Sequence, residues 1–500
     1  MFNKKLIDYS KIDFKGNGFQ YSVDICNSIE NYTQSILNKD KNAFNYRDIN
    51  MRYSIERCIY IKCINSKSLF LNYEKYYLRK NSKTNLPNLS PIEKDILYFI
   101  LNKNISNQYL KKNIKRVVLK KSIQFWRNTI QNLRKILLKR KIKNKRSKII
   151  ISINHIKFLS ILKPILSALP KDSFIIEAGN DEIFWEQIKK RNYKVIDFKS
   201  YYSNYNHLNS SNYMVEFLEL FNIVDDLIFI LKRIKPKSIL VIEGVAPKDI
   251  LISEVAKSMN ISTFCVQHGY PPFIDTGFRN MQFSKFLAWG TGTSKLLQKY
   301  NPKQEFMIVG NHSLKTKNNY KVISKKKFKV GFFLQGECAL LDKKEIRVFY
   351  KLILFSIKKY KNIDFIIREH PSSKINKNFK NEISKFKNVI ISYPEENSIS
   401  NDLESIDIAV SVFSSVIMES IALNVVPLIC SFGTLPKYIP EIAKQGAAVE
   451  VFNLNDAKKE LEKLLNNKKY LKEFKKSICK IKSDYFSDKN TIKIIKDIIL

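Results

Sequence analysis

The sequence predicts an α/β protein in which a mainly helical N-terminal region is followed by two parallel sheets. Three observations carry this prediction. From Lys148 onward, short apolar runs alternate with helical patterns, as is typical of parallel sheets with helices on both faces. A polar, basic stretch at 315–327, a plausible linker, divides this alternation into two units of similar size. The chain of 500 residues also exceeds the usual size of one hydrophobic core, so two or three domains are expected.

The first predicted unit, residues 1–147, is mainly helical and basic. It contains few glycines or prolines, and apolar residues recur at helical spacing between Ile92 and Ile100. Two basic stretches, 111–121 and 134–148, lie at its end with Trp126 between them. Basic helices of this kind can lie on an anionic membrane surface. A solvated helical face beside a linker is the equally open alternative.

The second unit, 148–314, and the third, 328–500, each contain a series of buried-strand patterns. In the second unit, strands are expected at 149–153, 174–177, 194–198, 238–242, 262–266, 286–288 and 307–309. In the third unit they are expected at 330–334, 364–368, 389–392, 406–411, 425–429 and 448–451, before a helical end from 455. Two similar α/β units in one chain place a ligand cleft between them.

The composition of the chain indicates what kind of partner it binds and which cellular compartment it occupies. The formal charge of +41 (87 basic against 46 acidic residues) predicts an anionic partner, unless it reflects a general abundance of Lys, Asn and Ile. Seven cysteines form no CxxC pair, so neither a zinc site nor a disulfide framework is expected. No signal-peptide pattern begins the chain, and no apolar stretch approaches the ~20 residues of a membrane span. A cytoplasmic location is therefore expected.

Two motifs in the third unit suit a phosphate-bearing ligand. His370-Pro371 follows an expected strand that ends at Arg368, and both side chains can address a phosphate. Ser414 and Ser415 follow another strand and open a helical pattern, where free N–H groups and the helix dipole favour an anion. Simple N-capping is the alternative. Glu419, four residues after Ser415, could accept from ribose hydroxyls or be an ordinary exposed side chain.

Polar residues also end two strands of the second unit. Glu243-Gly244 follows the strand 238–242, so the carboxylate could deprotonate an acceptor hydroxyl and the glycine allows close approach. Gln267-His268-Gly269 ends the next strand, and its histidine could orient a substrate or support Glu243. Asp275, in the same loop, is a further cleft candidate. A solvated loop acid and a buried structural histidine are the plainer alternatives.

Several motifs of other enzyme classes are absent from the chain. It has no GxxxxGK[ST] phosphate loop, no complete GxGxxG after a strand and no G-x-S-x-G nucleophile elbow. It has no DxD at a strand end of the kind that holds a metal on a nucleotide diphosphate. No metal site and no cofactor are therefore expected.

The order of these motifs resembles GT-B glycosyltransferases of bacterial surface-polysaccharide assembly, among them sialyltransferases and polysialyltransferases, capsule Kdo transferases and teichoic-acid glycerophosphotransferases. His370-Pro371 and Ser414-Ser415 are similar to the His-Pro and Ser-Ser or Ser-Thr motifs of sialyltransferases. Glu243-Gly244 matches part of their acidic-acidic-Gly motif, with Ile242 in the first acidic place. Gln267-His268-Gly269 resembles a capsule-type motif. The resemblance covers about 148–490 and implies two Rossmann-like domains, acceptor then donor.

The same resemblance implies roles for individual residues. His370 would contact the donor phosphate, and Ser414 and Ser415 would hold the same group. Glu243 would be the general base of an inverting, metal-independent transfer, with His268 as the substitute candidate. The implied donor is a CMP-linked sugar, such as sialic acid or a related acidic sugar. The implied acceptor is a capsule- or lipopolysaccharide-type glycan, free or lipid-linked, which would bring the enzyme to the inner face of the plasma membrane.

Three alternatives remain open from the sequence. A CDP-linked polyol phosphate would be the next donor, as in teichoic-acid phosphotransferases. A nucleotide-sugar epimerase would share the two-unit fold without needing an acceptor. A non-enzymatic nucleic-acid binder would use the positive charge, but no helix-turn-helix, zinc-finger or aromatic RNA-binding signature accompanies it, so no specific nucleic acid is expected.

Overall fold

The structure of the chain, a computed structural model, describes residues 18–73, 89–101, 147–153, 156–178, 188, 190–197, 213–270, 273–312, 314, 328–336, 341, 343–371, 373–412, 414–432 and 441–500. The linker expected at 315–327 and almost all of the two basic stretches lie outside these residues. The membrane-surface hypothesis therefore stays a prediction.

The first sheet has seven parallel strands in the spatial order β5-β4-β3-β6-β7-β8-β9. Its strands are β3 (Ile149–Ile153), β4 (Phe174–Ala178), β5 (Val195–Asp197), β6 (Ser238–Ile242), β7 (Ser262–Val266), β8 (Lys285–Ala288) and β9 (Phe306–Ile308). The strand order reverses between β3 and β6. In open parallel sheets, ligands bind outside the carboxyl ends of the strands at such a reversal.

The second sheet has six parallel strands in the order β12-β11-β10-β13-β14-β15. Its strands are β10 (Lys329–Phe333), β11 (Asp364–Arg368), β12 (Val389–Ser392), β13 (Ile408–Ser411), β14 (Val426–Cys430) and β15 (Val449–Val451). The order reverses between β10 and β13. Both sheets therefore have the strand order of a Rossmann-like domain, and the predicted α/β class with two such domains is confirmed.

Helices cover the sheets and form the N-terminal region. The N-terminal helices are α1 (Gly18–Leu37), α2 (Arg52–Ile64), α3 (Lys67–Tyr73) and α4 (Pro91–Ile100), with a short antiparallel pair, β1 (Asn45–Tyr46) and β2 (Ile49–Asn50). The first domain adds α5 (Ile156–Ala168), α6 (Tyr213–Ile234), α7 (Pro247–Ser258) and α8 (Thr291–Gln298). The second adds α9 (Lys343–Lys359), α10 (Lys377–Ile383), α11 (Ile399–Ser405), α12 (Val416–Ala422), α13 (Leu454–Asn466) and α14 (Lys468–Tyr485), and α15 (Thr491–Ile499) ends the chain.

The central strands are buried along their whole length, which explains their composition. All five residues of β3 and of β6 are buried. A strand covered by helices on both faces has no solvent side, so it reads as a continuous apolar run rather than an alternating one. The β-branched isoleucines and valines of these strands suit that environment.

The N-terminal helices share one hydrophobic core with a face of the first sheet. Buried side chains of α1 and α2, such as Ile25 and Ile59, belong to the same cluster as Ile150 of β3 and Ile239 of β6. Polar contacts join the parts as well. The Ser54 hydroxyl donates to the Pro247 backbone carbonyl at 2.9 Å. The helical region is therefore built onto the first domain instead of standing apart from it.

The chain returns to the first domain at its C-terminal end. Ile495 and Ile499 of α15 are buried in the apolar core on the other face of the first sheet. The Ser238 hydroxyl donates to the Ile499 carbonyl at 2.5 Å. The end of α14 packs directly against Gly290 of the first domain, where a Cβ would lie 2.3 Å from the Asp484 carbonyl oxygen. A glycine at this position therefore allows the chain to return to the first domain. The last helix thus lies on the first sheet, although its residues fall within 328–500.

Candidate active site between the two sheets

Glu243 follows β6 at the strand reversal of the first sheet and has an uncommon backbone conformation. Its φ is +67°, and the Gly244 N–H donates to the Ile242 carbonyl at 2.8 Å, which makes Glu243 the centre of a γ-turn. Gly244 also has a positive φ, +73°, and a Cβ there would lie 2.6 Å from the Cys265 sulfur. A strained turn of this kind persists where the surrounding structure holds it, and such turns concentrate at functional sites.

The γ-turn places the Glu243 carboxylate beside His268. Glu243 Oε1 lies 3.3 Å from His268 Nδ1, and both side chains are about a quarter exposed. The imidazole also meets the Phe158 ring edge-on, with centroids 5.0 Å apart. A carboxylate at this distance stabilises the protonated imidazole. In this pair, the His268 imidazole can take a proton, and the Glu243 carboxylate stabilises the imidazolium that results.

Gln267 holds the loop that carries His268. Its side-chain oxygen accepts from the Trp289 backbone N–H at 2.8 Å, and its Nε2 donates to the Gly269 carbonyl at 3.3 Å. The Trp289 indole donates to the Gln267 backbone carbonyl at 3.1 Å. Gln267 is almost completely buried. We conclude that it fixes the shape of the loop from beneath.

Asp275, from the same loop region, pairs with a residue of the N-terminal helices. Its Oδ2 lies 2.9 Å from Nη1 of Arg57 on α2, and its Oδ1 accepts from the Gly277 N–H at 2.8 Å. The Arg57 guanidinium carbon also lies 5.3 Å from the centre of the Tyr60 ring. Arg57 and Tyr60 were not among the candidates from the sequence. No local motif marks them, because only the packing of α2 on the first domain brings them here.

The second domain reaches this site through Ser415. A Cβ on Gly269 would lie 3.4 Å from the Ser415 Cβ, so the loop after β7 touches the residue that precedes α12. Ser415 stands at the N-cap position but has helical backbone angles and makes no capping hydrogen bond. The Ser414 hydroxyl accepts from the Val416 N–H at 3.4 Å, which is long for a cap. Capping therefore explains the two serines poorly.

Several of these residues line an open cavity of about 280 Å³ at the carboxyl end of the first sheet, where Ser415 of the second domain adjoins it. It is lined by Arg57, Tyr60, Glu243, Val245, His268, Gly269, Tyr270, Phe273, Asp275, Phe278 and Ser415. Five of the candidates from the sequence meet there. In the described part of the chain, its wall does not include Gly244, Gln267, Arg368, His370, Ser414 or Glu419.

His370 lies in a turn after β11 that its neighbours hold in place. The Ser373 N–H donates to the His370 carbonyl at 3.1 Å and closes the turn. The buried Glu369 carboxylate accepts from the Ile375 N–H at 2.8 Å and from Lys374 Nζ at 3.1 Å. The His370 side chain is half-buried. The turn thus places His370 at the carboxyl end of the second sheet.

Arg368, a donor-site candidate from the sequence, lies in a buried hydrogen-bond network. Its guanidinium is buried and forms an ion pair with Asp402. It also donates to the Ser392 hydroxyl at 3.2 Å and to the Asn397 carbonyl at 3.0 Å. A buried charge must be paired and hydrogen-bonded in this way. The Arg368 guanidinium is therefore already bonded within the protein, and a ligand phosphate would have to compete with these partners.

Two titratable side chains with shifted pKa values accompany these residues. Burial raises the pKa of Glu419, on α12, to about 7, although the positive charge of Arg368 opposes the shift. Burial lowers the pKa of His312, which follows β9, to about 4, and proximity to His268 adds to the lowering while the Ile161 backbone opposes it. Neither His312 ring nitrogen makes a well-formed hydrogen bond to a described residue.

The fold and the site together define an α/β protein with two Rossmann-like domains, in which Ser415 of the second domain adjoins a cavity lined by the first domain and the N-terminal helices. No family model matches the chain, and no curated protein matches it. Solved structures do match it at low identity. UDP-GlcNAc 2-epimerase from Neisseria meningitidis, bound to UDP-GlcNAc, is 17% identical with a TM-score of 0.49, covering 70% of this chain and 98% of that chain.

Two further structures show the same degree of similarity. MurG from Acinetobacter baumannii is 12% identical with a TM-score of 0.47, covering 70% of this chain and 99% of that one. A glycosyltransferase from Rickettsia africae is 13% identical with a TM-score of 0.44, covering 71% and 98%. Similarities of this size carry no functional conclusion, and the fold class rests on the two sheets themselves. Among the described residues, no helix is long and apolar enough to cross a membrane.

Proposed function

We propose that the protein is a glycosyltransferase that moves a sugar from a nucleotide-activated donor, with a CMP-linked acidic sugar favoured, to a glycan acceptor of the capsule or lipopolysaccharide type. The observation that carries the proposal is the shared cavity. A proton-accepting pair from the first domain, Glu243 and His268, lies in the same cavity as Ser415 from the second domain. A transfer reaction needs both an acceptor-activating group and a donor-holding group at one place.

The proposed chemistry begins at the acceptor hydroxyl. His268 takes the hydroxyl proton as the oxygen attacks the anomeric carbon of the donor sugar, and Glu243 stabilises the imidazolium that forms. The new glycosidic C–O bond forms as the bond from the anomeric carbon to the phosphate oxygen breaks. The electron pair leaves with the nucleotide phosphate. A single displacement of this kind inverts the anomeric centre.

The proposed donor site lies at the carboxyl end of the second sheet. His370 donates to the nucleotide phosphate, and the hydroxyls of Ser414 and Ser415 hold the same group. Glu419 reaches the ribose side of the nucleotide. We assign Arg368 a positioning role, because its guanidinium is already committed to Asp402.

A nucleotide screen tests the proposal. Each of CMP, CDP, UDP and GDP is added to the purified protein and its unfolding temperature is measured, because a ligand of the folded state raises the apparent stability by about 2.7 kcal/mol at 100 times its Kd. We expect the largest rise with CMP, and its loss in the His370→Ala variant. Equal or absent shifts with all four nucleotides would refute a nucleotide-dependent reaction.

A second measurement separates transfer from epimerisation. The protein is incubated with a CMP-linked sugar, and nucleotide release is followed with and without a glycan acceptor. We expect release that depends on the acceptor. Release at the same rate without acceptor, or conversion of the sugar with the nucleotide still attached, would favour another reaction of the same fold.

A further inference from the structure

We propose that the N-terminal helical region supplies part of the acceptor subsite, with Arg57 and Tyr60 as specificity-determining residues for an uncharged sugar. This inference rests on the proposed function, since it names the acceptor of that reaction. It assigns a role to a region that the sequence left without one. Its basis is the position of α2, which brings these two side chains into the wall of the cavity that holds Glu243 and His268.

The two side chains are held rigidly. Arg57 and Asp275 form an ion pair at 2.9 Å, and their side chains are only 12% and 16% exposed. The guanidinium lies over the Tyr60 ring, and Tyr60 in turn contacts Phe273 with ring centroids 6.5 Å apart. Gly277 lets the backbone approach, because a Cβ there would lie 3.1 Å from the guanidinium carbon. Side chains held in place in this way lose little conformational entropy when a ligand binds.

The charge of the lining selects the chemistry of the ligand. Among the described residues of the lining, the charged groups are paired with each other: Asp275 pairs with Arg57 at 2.9 Å, and Glu243 lies 3.3 Å from His268. An anionic acceptor group at the Arg57 end of the cavity would have to compete with Asp275 for the guanidinium, whereas the proposed donor phosphate is held by Ser414 and Ser415 of the second domain. Sugar hydroxyls instead donate to carboxylates and accept from a guanidinium. The local charge therefore favours an uncharged, hydroxylated ligand.

Aromatic rings complete the subsite. Tyr60, Phe273 and Phe278 line the cavity beside the charged residues. Flat apolar rings suit the C–H face of a sugar ring, while the polar groups address its hydroxyls. A neutral sugar uses both parts of this lining and leaves the Arg57–Asp275 ion pair intact.

A binding experiment with a matched control tests the inference. The labelled protein is applied to an array of oligosaccharides in pairs that differ only by a carboxylate on the terminal sugar. Arg57→Met is compared with Arg52→Met, because Arg52 lies on the same helix, is 13% exposed and pairs with Glu56 at 2.7 Å. We expect the parent to bind neutral members, Arg57→Met to bind them at least about 10-fold more weakly, and Arg52→Met to bind within about 2-fold of the parent.

The other outcomes overturn the inference. Preference for the carboxylated members, no binding by the parent, or unchanged binding by Arg57→Met would each contradict it. Equal losses in the two variants would mean that α2 has only a structural role. Since the array measures binding without turnover, a protein that binds neutral glycans but transfers no sugar would refute the proposed reaction and leave this subsite standing.

Discussion

Glu243 Oε1 lies 3.3 Å from His268 Nδ1, and the two residues follow adjacent strands of the first sheet. The contact joins two residues whose roles looked interchangeable from the sequence. Because Nδ1 faces the carboxylate, the other ring nitrogen, Nε2, is the one left to take a proton from a substrate. The geometry therefore favours a division of labour, with His268 as the base and Glu243 as its positioning carboxylate.

The first prediction tests that division. His268→Ala should lower kcat by about 10²-fold or more, because the proton acceptor is lost. Glu243→Gln should lower kcat less, because the imidazole remains as the proton acceptor and only its neighbouring carboxylate is lost. Turnover measurements on the parent and both variants provide the check. A larger loss in Glu243→Gln than in His268→Ala would make Glu243 the base.

The second prediction concerns the donor phosphate. His370→Ala should weaken nucleotide binding by roughly 1.5–3 kcal/mol, the value of one hydrogen bond to a charged group. The turn that carries the residue is held by hydrogen bonds of Glu369 and Ser373, so the variant should still fold, and its unfolding temperature is measured as the control. Calorimetric titration with the nucleotide that stabilises the parent measures the loss. Parent-like affinity in a folded variant would remove His370 from the donor site.

The third prediction separates ligand binding from helix capping. Ser415→Ala should weaken nucleotide binding and leave the unfolding free energy within about 0.5 kcal/mol, because Ser415 makes no capping hydrogen bond. Ser398 is the matched control, since its side chain accepts from the Asn401 N–H at 3.1 Å and caps α11. Ser398→Ala should cost about 1 kcal/mol of stability without affecting nucleotide binding. The reverse pattern in urea titrations would return Ser415 to a capping role.

Much of this architecture was predictable because the signal is local. Runs such as Ile149–Ile153 and Asp364–Arg368 are strands at the expected bounds, since a doubly covered strand must be apolar throughout. The meeting of Glu243 and His268 also follows from local information. Both end neighbouring parallel strands, and the carboxyl ends of such strands share one edge of the sheet.

Other features depend on packing between distant segments and have no local signal. Arg57 reaches the cavity because α2 shares a core with the first sheet, and its residue type and neighbours say nothing of that docking. The apolar stripe of α15 predicts a helix, but it does not indicate which sheet the helix packs on. Ile495 and Ile499 are buried against the first sheet, far from α15 along the chain. The ion pair of Arg368 with Asp402 joins residues more than thirty positions apart, so no local pattern around Arg368 indicates it.

The fourth prediction uses the raised pKa of Glu419. With a pKa of about 7, this carboxyl is largely protonated at pH 6 and ionised at pH 8. If the nucleotide phosphate binds nearby, ionisation adds a repulsion of about 1 kcal/mol, so affinity should fall ~5-fold from pH 6 to pH 8. Glu419→Gln should reduce that fall. Glu254→Gln is the control, because burial also raises the pKa of Glu254 to about 7. Glu254 lines a different groove, apart from the cavity that holds Glu243 and His268. Equal effects of the two variants on nucleotide affinity would contradict a donor-site role for Glu419.

The last prediction concerns acid stability and His312. Its pKa is about 4 in the folded protein and 6.5 when unfolded, so below pH 6.5 the unfolded chain gains a proton that the folded chain does not. The stability present above pH 6.5 is therefore lost as the pH falls toward 4, by up to about 3 kcal/mol from this residue. In His312→Leu that loss should disappear, and the urea-unfolding free energies of variant and parent should converge or cross between pH 7.5 and pH 4.5. Since carboxylates titrate in the same range in both proteins, the difference between the two curves isolates His312; parallel curves would show that the buried imidazole gains its proton without cost.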